Sequence, residues 1–197
     1  ILAAELAALL INLSHTSKNV EQMVSNRGLN LLMDRLDNDY AERDQGLMKI
    51  IRNVSYYTFM VQQQHEGRAE DYKYRGIWAP HFKLMLDILT DTDNHDTLIE
   101  LLGTLANMTT YDVPANTSWS KLCREYNLIS LFSKMLIPGM AQNDLILEVI
   151  MLISSIANDA NACVMIASSN LIGLLYQTWK DKSEDIEIKL QLIHCFH

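Results

Sequence analysis

Apolar residues fall at helical spacing along most of this chain. Leu98, Leu101, Leu102 and Leu105 follow i, i+3, i+4, i+7, and so do Leu128, Leu131, Phe132 and Met135. Leu145, Val149, Leu152 and Ile156 keep the same face within one period of drift. The stretch 145–153 is apolar on nearly every side, which predicts a helix buried between neighbours. No run alternates with a period of two, so the pattern predicts an all-α chain without strands.

One motif recurs inside these helices. It reads Leu9-Leu10-Ile11-Asn12-Leu13-Ser14, then Ile50-Ile51-Arg52-Asn53-Val54-Ser55, then Thr104-Leu105-Ala106-Asn107-Met108-Thr109. Ser155 and Cys195 take the Asn position in two later copies. The markers lie 41, 54, 48 and 40 residues apart, a spacing that points to helical repeats of about 40–47 residues. A second series keeps step: Gly28-Leu29, Gly76-Ile77, Asn127-Leu128 and Asn170-Leu171 each open an apolar stretch. Gly and Asn tolerate the left-handed backbone that ends one helix and redirects the chain. Each unit then holds a short helix before that turn, a second after it and a third carrying the marker. This is the three-helix plan of an armadillo-repeat right-handed superhelical solenoid.

The expected organisation is one solenoid over 1–197. Residues 1–14 form the third helix of a partial repeat. Repeats follow at 15–57, 58–110 (with a polar insertion at 62–75), 111–159 and 160–197. Ser183-Glu184-Asp185 offers an N-cap with acidic first-turn residues, and Asp159 precedes a helix over 161–168. Pro138-Gly139 and Asp112-Val113-Pro114 punctuate links. Ile1 and His197 both fall inside apolar helical runs without polar caps, so the chain reads as a slice truncated at both ends.

Composition narrows the function. Net charge is −8, from 24 Asp and Glu against 16 Lys and Arg, which disfavours nucleic-acid backbone binding as a main role. No stretch has the apolar length of a membrane span. Cys123, Cys163 and Cys195 are far apart and suggest reduced, buried thiols rather than a disulfide framework. Asn12, Asn53, Asn107 and Asn116 begin Asn-x-Ser/Thr sequons, but three of them are the repeat marker and read as architecture.

Catalytic chemistry finds no support. Phosphate-cradling glycine patterns, a Ser, His and acid cluster and Cys-x-x-Cys are all absent. His194-Cys195-x-His197 reads as core packing plus surface His rather than a metal site. No cofactor, metal or enzyme activity is expected. The polar, mixed-charge stretch 62–75 reads as a solvated loop or an extended helix. Its sharper reading is a binding loop anchored by Tyr72, Tyr74 and Trp78.

A solenoid without catalytic motifs works through its surface. The third helices of such a stack line a groove, where Asn12, Lys49, Arg52, Asn53, Asn107 and Ser155 are the candidate partner-binding residues. A ladder of amides matches the backbone groups of an extended peptide. It serves equally well as a brace between neighbouring helices. One turn before the Asn markers stand Ala8, Lys49 and Gly103, where grooves of the importin type carry Trp, so nuclear-signal binding is disfavoured.

These residues resemble a particular family. Gly46-Leu47-Met48-Lys49-Ile50-Ile51-Arg52-Asn53-Val54-Ser55 is similar to the kinesin-associated proteins, the non-motor accessory subunits of heterotrimeric kinesin-II. So are Ile99-Glu100-Leu101-Leu102-Gly103-Thr104-Leu105-Ala106-Asn107-Met108-Thr109, Asp144-Leu145-Ile146-Leu147-Glu148-Val149-Ile150-Met151, Arg124-Glu125-Tyr126-Asn127-Leu128 and Lys134-Met135-Leu136-Ile137-Pro138-Gly139. The insertion 62–75 and Ser154-Ser155-Ile156-Ala157 depart from the family pattern and mark a divergent member. The resemblance implies a non-catalytic adaptor. It would bind kinesin-II motor-subunit tails and cargo adaptors in microtubule-based and intraflagellar transport, in the cytoplasm, on the cytoskeleton, or in a cilium or flagellum. Another armadillo scaffold, such as an axonemal structural protein or a catenin-like adaptor, is the alternative.

Overall fold

The computed structural model describes residues 4–38, 44–64, 74–108 and 111–197. All regular structure among them is helical, and the chain divides into two compact units, Ile1–Ile77 and Trp78–His197. The division falls inside the repeat assigned to 58–110.

The first unit holds α1 (Ala4–Ser14), α2 (Ser17–Ser25), α3 (Gly28–Asn38) and α4 (Gln45–Gln64). Its core is Val20, Leu29, Met33, Leu36, Leu47, Met48, Ile50, Ile51 and Val54. Helices α1 and α4 lie side by side, and α2 and α3 pack on α4. A Cβ added to Gly46 would meet Ala7 Cβ at 2.8 Å, while Asn53 reaches Ser14 one repeat back. Both contacts advance by seven residues on each helix, so α1 and α4 run parallel. That is the arrangement of third helices in consecutive repeats.

Two local expectations change here. The left-handed residue between α2 and α3 is Arg27, at φ 60°, rather than Gly28. Gly28 is required for another reason: a Cβ there would stand 2.5 Å from the Met23 carbonyl oxygen. Helix α4 also continues past the marker to Gln64, so residues 62–64 of the insertion are helix and not loop. Gln is a good helix former, and no Gly or Pro interrupts the run before Gly67.

Residues 74–81 form turns and a 3₁₀ segment, Ala79–His81. Gly76 is left-handed at φ 71° and Pro80 lacks a backbone donor, which explains the irregular path.

The second unit continues with α5 (Phe82–Asp91), α6 (His95–Ala106), α7 (Trp119–Glu125), α8 (Leu128–Met135), α9 (Asn143–Ala157), α10 (Ala160–Ala167), α11 (Leu171–Asp181) and α12 (Ile186–Phe196). Helix α9 packs against α6 on one side and α12 on the other. This is why 145–153 reads as apolar all round: Leu145, Ile146, Val149, Ile150, Leu152, Ile153 and Ile156 are all buried. Trp119 meets Phe82 edge-on, with ring centroids 5.3 Å apart.

Side-chain caps set several helix starts. Asn94 accepts from Thr97 N, Ser118 from Lys121 N, and Asp159 from Asn161 N and Ala162 N. The cap of α12 is Asp185, accepting from Ile188 N, two residues beyond the expected Ser183. Asn127 is left-handed at φ 51°, as its place before α8 predicts, whereas Asn170 before α11 is right-handed at φ −74°.

Candidate partner-binding surface

In the first unit, Asn12 and Lys49 are exposed, and Arg52 and Asn53 are half-buried. Asn53 Nδ2 donates to Ser14 Oγ at 2.8 Å, and Ser14 Oγ in turn donates to the Ile11 carbonyl at 2.7 Å. The Asn-x-Ser motif therefore acts across repeats: the Asn of one copy grips the Ser of the copy before it. Asn53 Oδ1 takes no hydrogen bond among the described residues.

Asn53 also borders an open cleft of about 220 Å³, lined by Ser14, His15, Tyr56, Tyr57 and Met60 with Val20 at its base. Lys49, Asn53, Tyr56 and Met60 follow i, i+4, i+7, i+11 and share one stripe of α4. Tyr56 is 56% exposed and Met60 38%. The part of α4 beyond the marker builds this wall.

In the second unit the same brace recurs with different chemistry. Ser155 Oγ donates to the Met108 carbonyl at 3.1 Å, just past the end of α6. Asn107 is half-buried and forms the C-cap of α6. Thr109 lies outside the described residues. Two residues here escaped the sequence reading, Glu100 on α6 and Glu148 on α9. Each sits seven residues before its marker, on the marker's own stripe, and each is buried. Their shared register was the signal that would have found them.

Charge separates α4 from α6 and α9. Helix α4 carries Lys49 and Arg52 and no carboxylate. Helix α6 carries Asp96 and Glu100, and α9 carries Asp144 and Glu148, with no Lys or Arg on either.

The proposed loop anchors fare differently. Tyr72 lies outside the described residues, as do His65, Glu66, Glu70 and Asp71. Tyr74 and Trp78 are 3% and 1% exposed. Tyr74 packs against Tyr57, with centroids 6.0 Å apart. Both rings are core residues that pin the chain down, because burying so much aromatic surface outweighs presenting it to solvent.

The cysteines are free. Cys123 is buried as expected, but Cys163 is exposed and Cys195 half-buried, so the expectation of uniformly buried thiols fails at α10 and α12. Burial pushes the Cys123 thiol up to about 11, with Asp159 adding and Arg124 opposing. Burial likewise pushes Cys195 up to about 11, with Cys163 adding. These thiols are poor nucleophiles at neutral pH. Tyr126 is pushed up to about 12 by burial first and then by donating to Asp87 Oδ1 at 3.1 Å. Among the described residues no three His, Cys, Asp or Glu side chains cluster as metal ligands, and no helix is long and apolar enough to cross a membrane.

Parallel third helices, inter-repeat braces and a marker stripe define an armadillo surface. The family model for kinesin-associated protein (KAP) matches residues 2–197. The chain belongs to the kinesin-associated protein family. The fold of this family member is similar to a designed armadillo repeat protein, YIII(Dq.V1)4CPAF, solved in complex with the peptide (KR)4. The TM-score is 0.64 at 16% identity, over 96% of this chain and 72% of that one. This kinesin-associated chain is thus a helical-repeat scaffold of the armadillo kind.

Proposed function

We propose that this chain is a non-catalytic adaptor of heterotrimeric kinesin-II, binding motor-subunit tails and linking them to cargo in microtubule-based and intraflagellar transport. The family match over residues 2–197 carries this reading. ATP hydrolysis belongs to the partner motors, and the adaptor works on the cytoskeleton and in cilia or flagella. The proposed contact residues are Asn12, Lys49, Arg52 and Asn53 in the first unit and Asn107 and Ser155 in the second.

On α6 and α9 the tail segment is basic. Glu100, Glu148, Asp96 and Asp144 set a negative field there, and a net charge of −8 steers cationic segments toward the chain. The designed armadillo neighbour, whose peptide is (KR)4, supplies a structural precedent for a basic ligand.

A pull-down of purified motor tails with this chain and with the longest available form of the protein tests the assignment. Retention of both tails, lost in high salt, is expected. No retention by either form rejects the motor-tail reading. A fixed position on purified axonemal microtubules without motor subunits would assign an axonemal scaffold instead.

A further inference from the structure

We propose that the cleft between the α1–α2 turn and α4 is a second docking site, specific for an acidic extended segment with one apolar anchor. The proposal rests on reading the third helices as the binding face, but it assigns this part of the face a ligand of opposite charge.

The walls choose the anchor. Tyr56, Tyr57 and Met60 surround a cleft of about 220 Å³ with Val20 at its base, a space that suits one branched aliphatic or aromatic side chain. Tyr rings grip such a group with little loss of their own freedom, and the flexible Met thioether adapts to its shape. The floor chooses an extended backbone. Asn53 is fixed through Nδ2 to Ser14 Oγ, and its Oδ1 is left without a hydrogen bond among the described residues. A held amide with an open acceptor receives a peptide N–H, and the geometry is prepaid by the brace.

The charges choose the flanking residues. Lys49 is exposed one turn before Asn53, and Lys18 is exposed next to Ser17 of the cleft wall. Neither is in an ion pair among the described residues. Helix α4 has no carboxylate. The acids of the two facing helices are Glu21 on α2 and Glu5 on α1. Glu5 stands nine residues before Ser14, about 13 Å along the helix axis and away from the cleft. In a chain of net charge −8 the two exposed cations beside the cleft, Lys49 and Lys18, favour an acidic segment over a basic one, while Glu21, one turn after Ser17, is half-buried.

The test uses fluorescence anisotropy with the 197-residue chain and three labelled peptides. One is Asp-Glu-Asp-Leu-Glu-Asp-Glu, one has Gly for the Leu, and one is an alternating Lys-Arg octamer. The first should bind with Kd below about 1 mM. Lys49→Glu and Tyr56→Ala, both at exposed positions, should each weaken it about tenfold, while Lys49→Arg retains it. Circular dichroism confirms that the variants fold. The proposal is overturned if the Leu and Gly peptides bind alike, if Lys49→Glu leaves binding unchanged, or if no binding is seen below about 1 mM. The Lys-Arg octamer reads the α6–α9 face separately. Its failure beside a bound acidic peptide rejects a basic ligand there and leaves the cleft standing.

Discussion

Helices α4 and α9 hold the same place in two different repeats and do different work. Helix α9 is enclosed by α6 and α12, and its apolar residues are nearly all core. Helix α4 starts the same way, burying Leu47, Met48, Ile50, Ile51 and Val54. It then runs on for a further eleven residues past its marker, where α9 stops two residues after its own. Along that overhang the exposed large hydrophobics are Tyr56 and Met60, and a cleft opens beside them. Of this pair, the helix that ends with its repeat packs and the one that overruns it presents. The markers differ accordingly. Ser155 donates to a carbonyl and brings only a hydroxyl, whereas Asn53 braces with one end of its amide and leaves Oδ1 without a hydrogen bond among the described residues.

The contrast breaks most readily at α9. Leu152 is fully buried, so Leu152→Ala should cost about 2–5 kcal/mol, read as a lowered urea midpoint. A loss no larger than that of a surface change on the α4 overhang would mean that α9 is not the enclosed helix. Next comes Gly46→Ala, which gains helix propensity yet puts a methyl 2.8 Å from Ala7 Cβ. A net loss of about 1–3 kcal/mol is expected from the forced separation of α1 and α4; unchanged stability would contradict their close approach.

The Asn53 brace is weaker. Asn53→Ala and Ser14→Ala, combined in a double-mutant cycle, should show a coupling of about 0.5–1.5 kcal/mol. Additive effects would remove the brace from the account. The smallest effect is confined to the second unit and to alkali. The folded state favours protonated Tyr126, whose pKa rises from 10.0 to about 12, so its contribution is whole below pH 10 and fades as pH climbs through about 12. Unfolding midpoints measured across that window should fall less steeply in Tyr126→Phe than in the parent chain. Identical slopes would show that the Asp87 contact carries no weight.

Much of the frame was legible in the sequence because it depends on local periodicity. The all-round apolar run of α9 announced burial on both sides, and the Asn and Ser markers set the repeat phase. What tertiary contact decides was harder to read. The stretch holding Gln62–Gln64 read as loop or extended helix because it is polar, and the structure continues α4 through it, since Gln propagates a helix well once one is under way. Tyr74 and Trp78 looked like presented anchors because their neighbours are charged, yet both are core. Of the candidate contact residues, Asn53 and Ser155 turned out to brace repeats, a role the amide ladder allowed from the start. Glu100 and Glu148 went unread because apolar positions, not charged ones, were used to set the register.

The closeness of Ala7 and Gly46 also governs how this chain can diverge. The two positions share one small volume, so neither is free to enlarge by itself. A bulkier side chain on α4 becomes tolerable only after Ala7 has shrunk to Gly. Thirty-nine residues apart in the chain, the pair would change as a single inherited unit, in that order, and a relative carrying a larger residue at the Gly46 position should betray Gly at the Ala7 position.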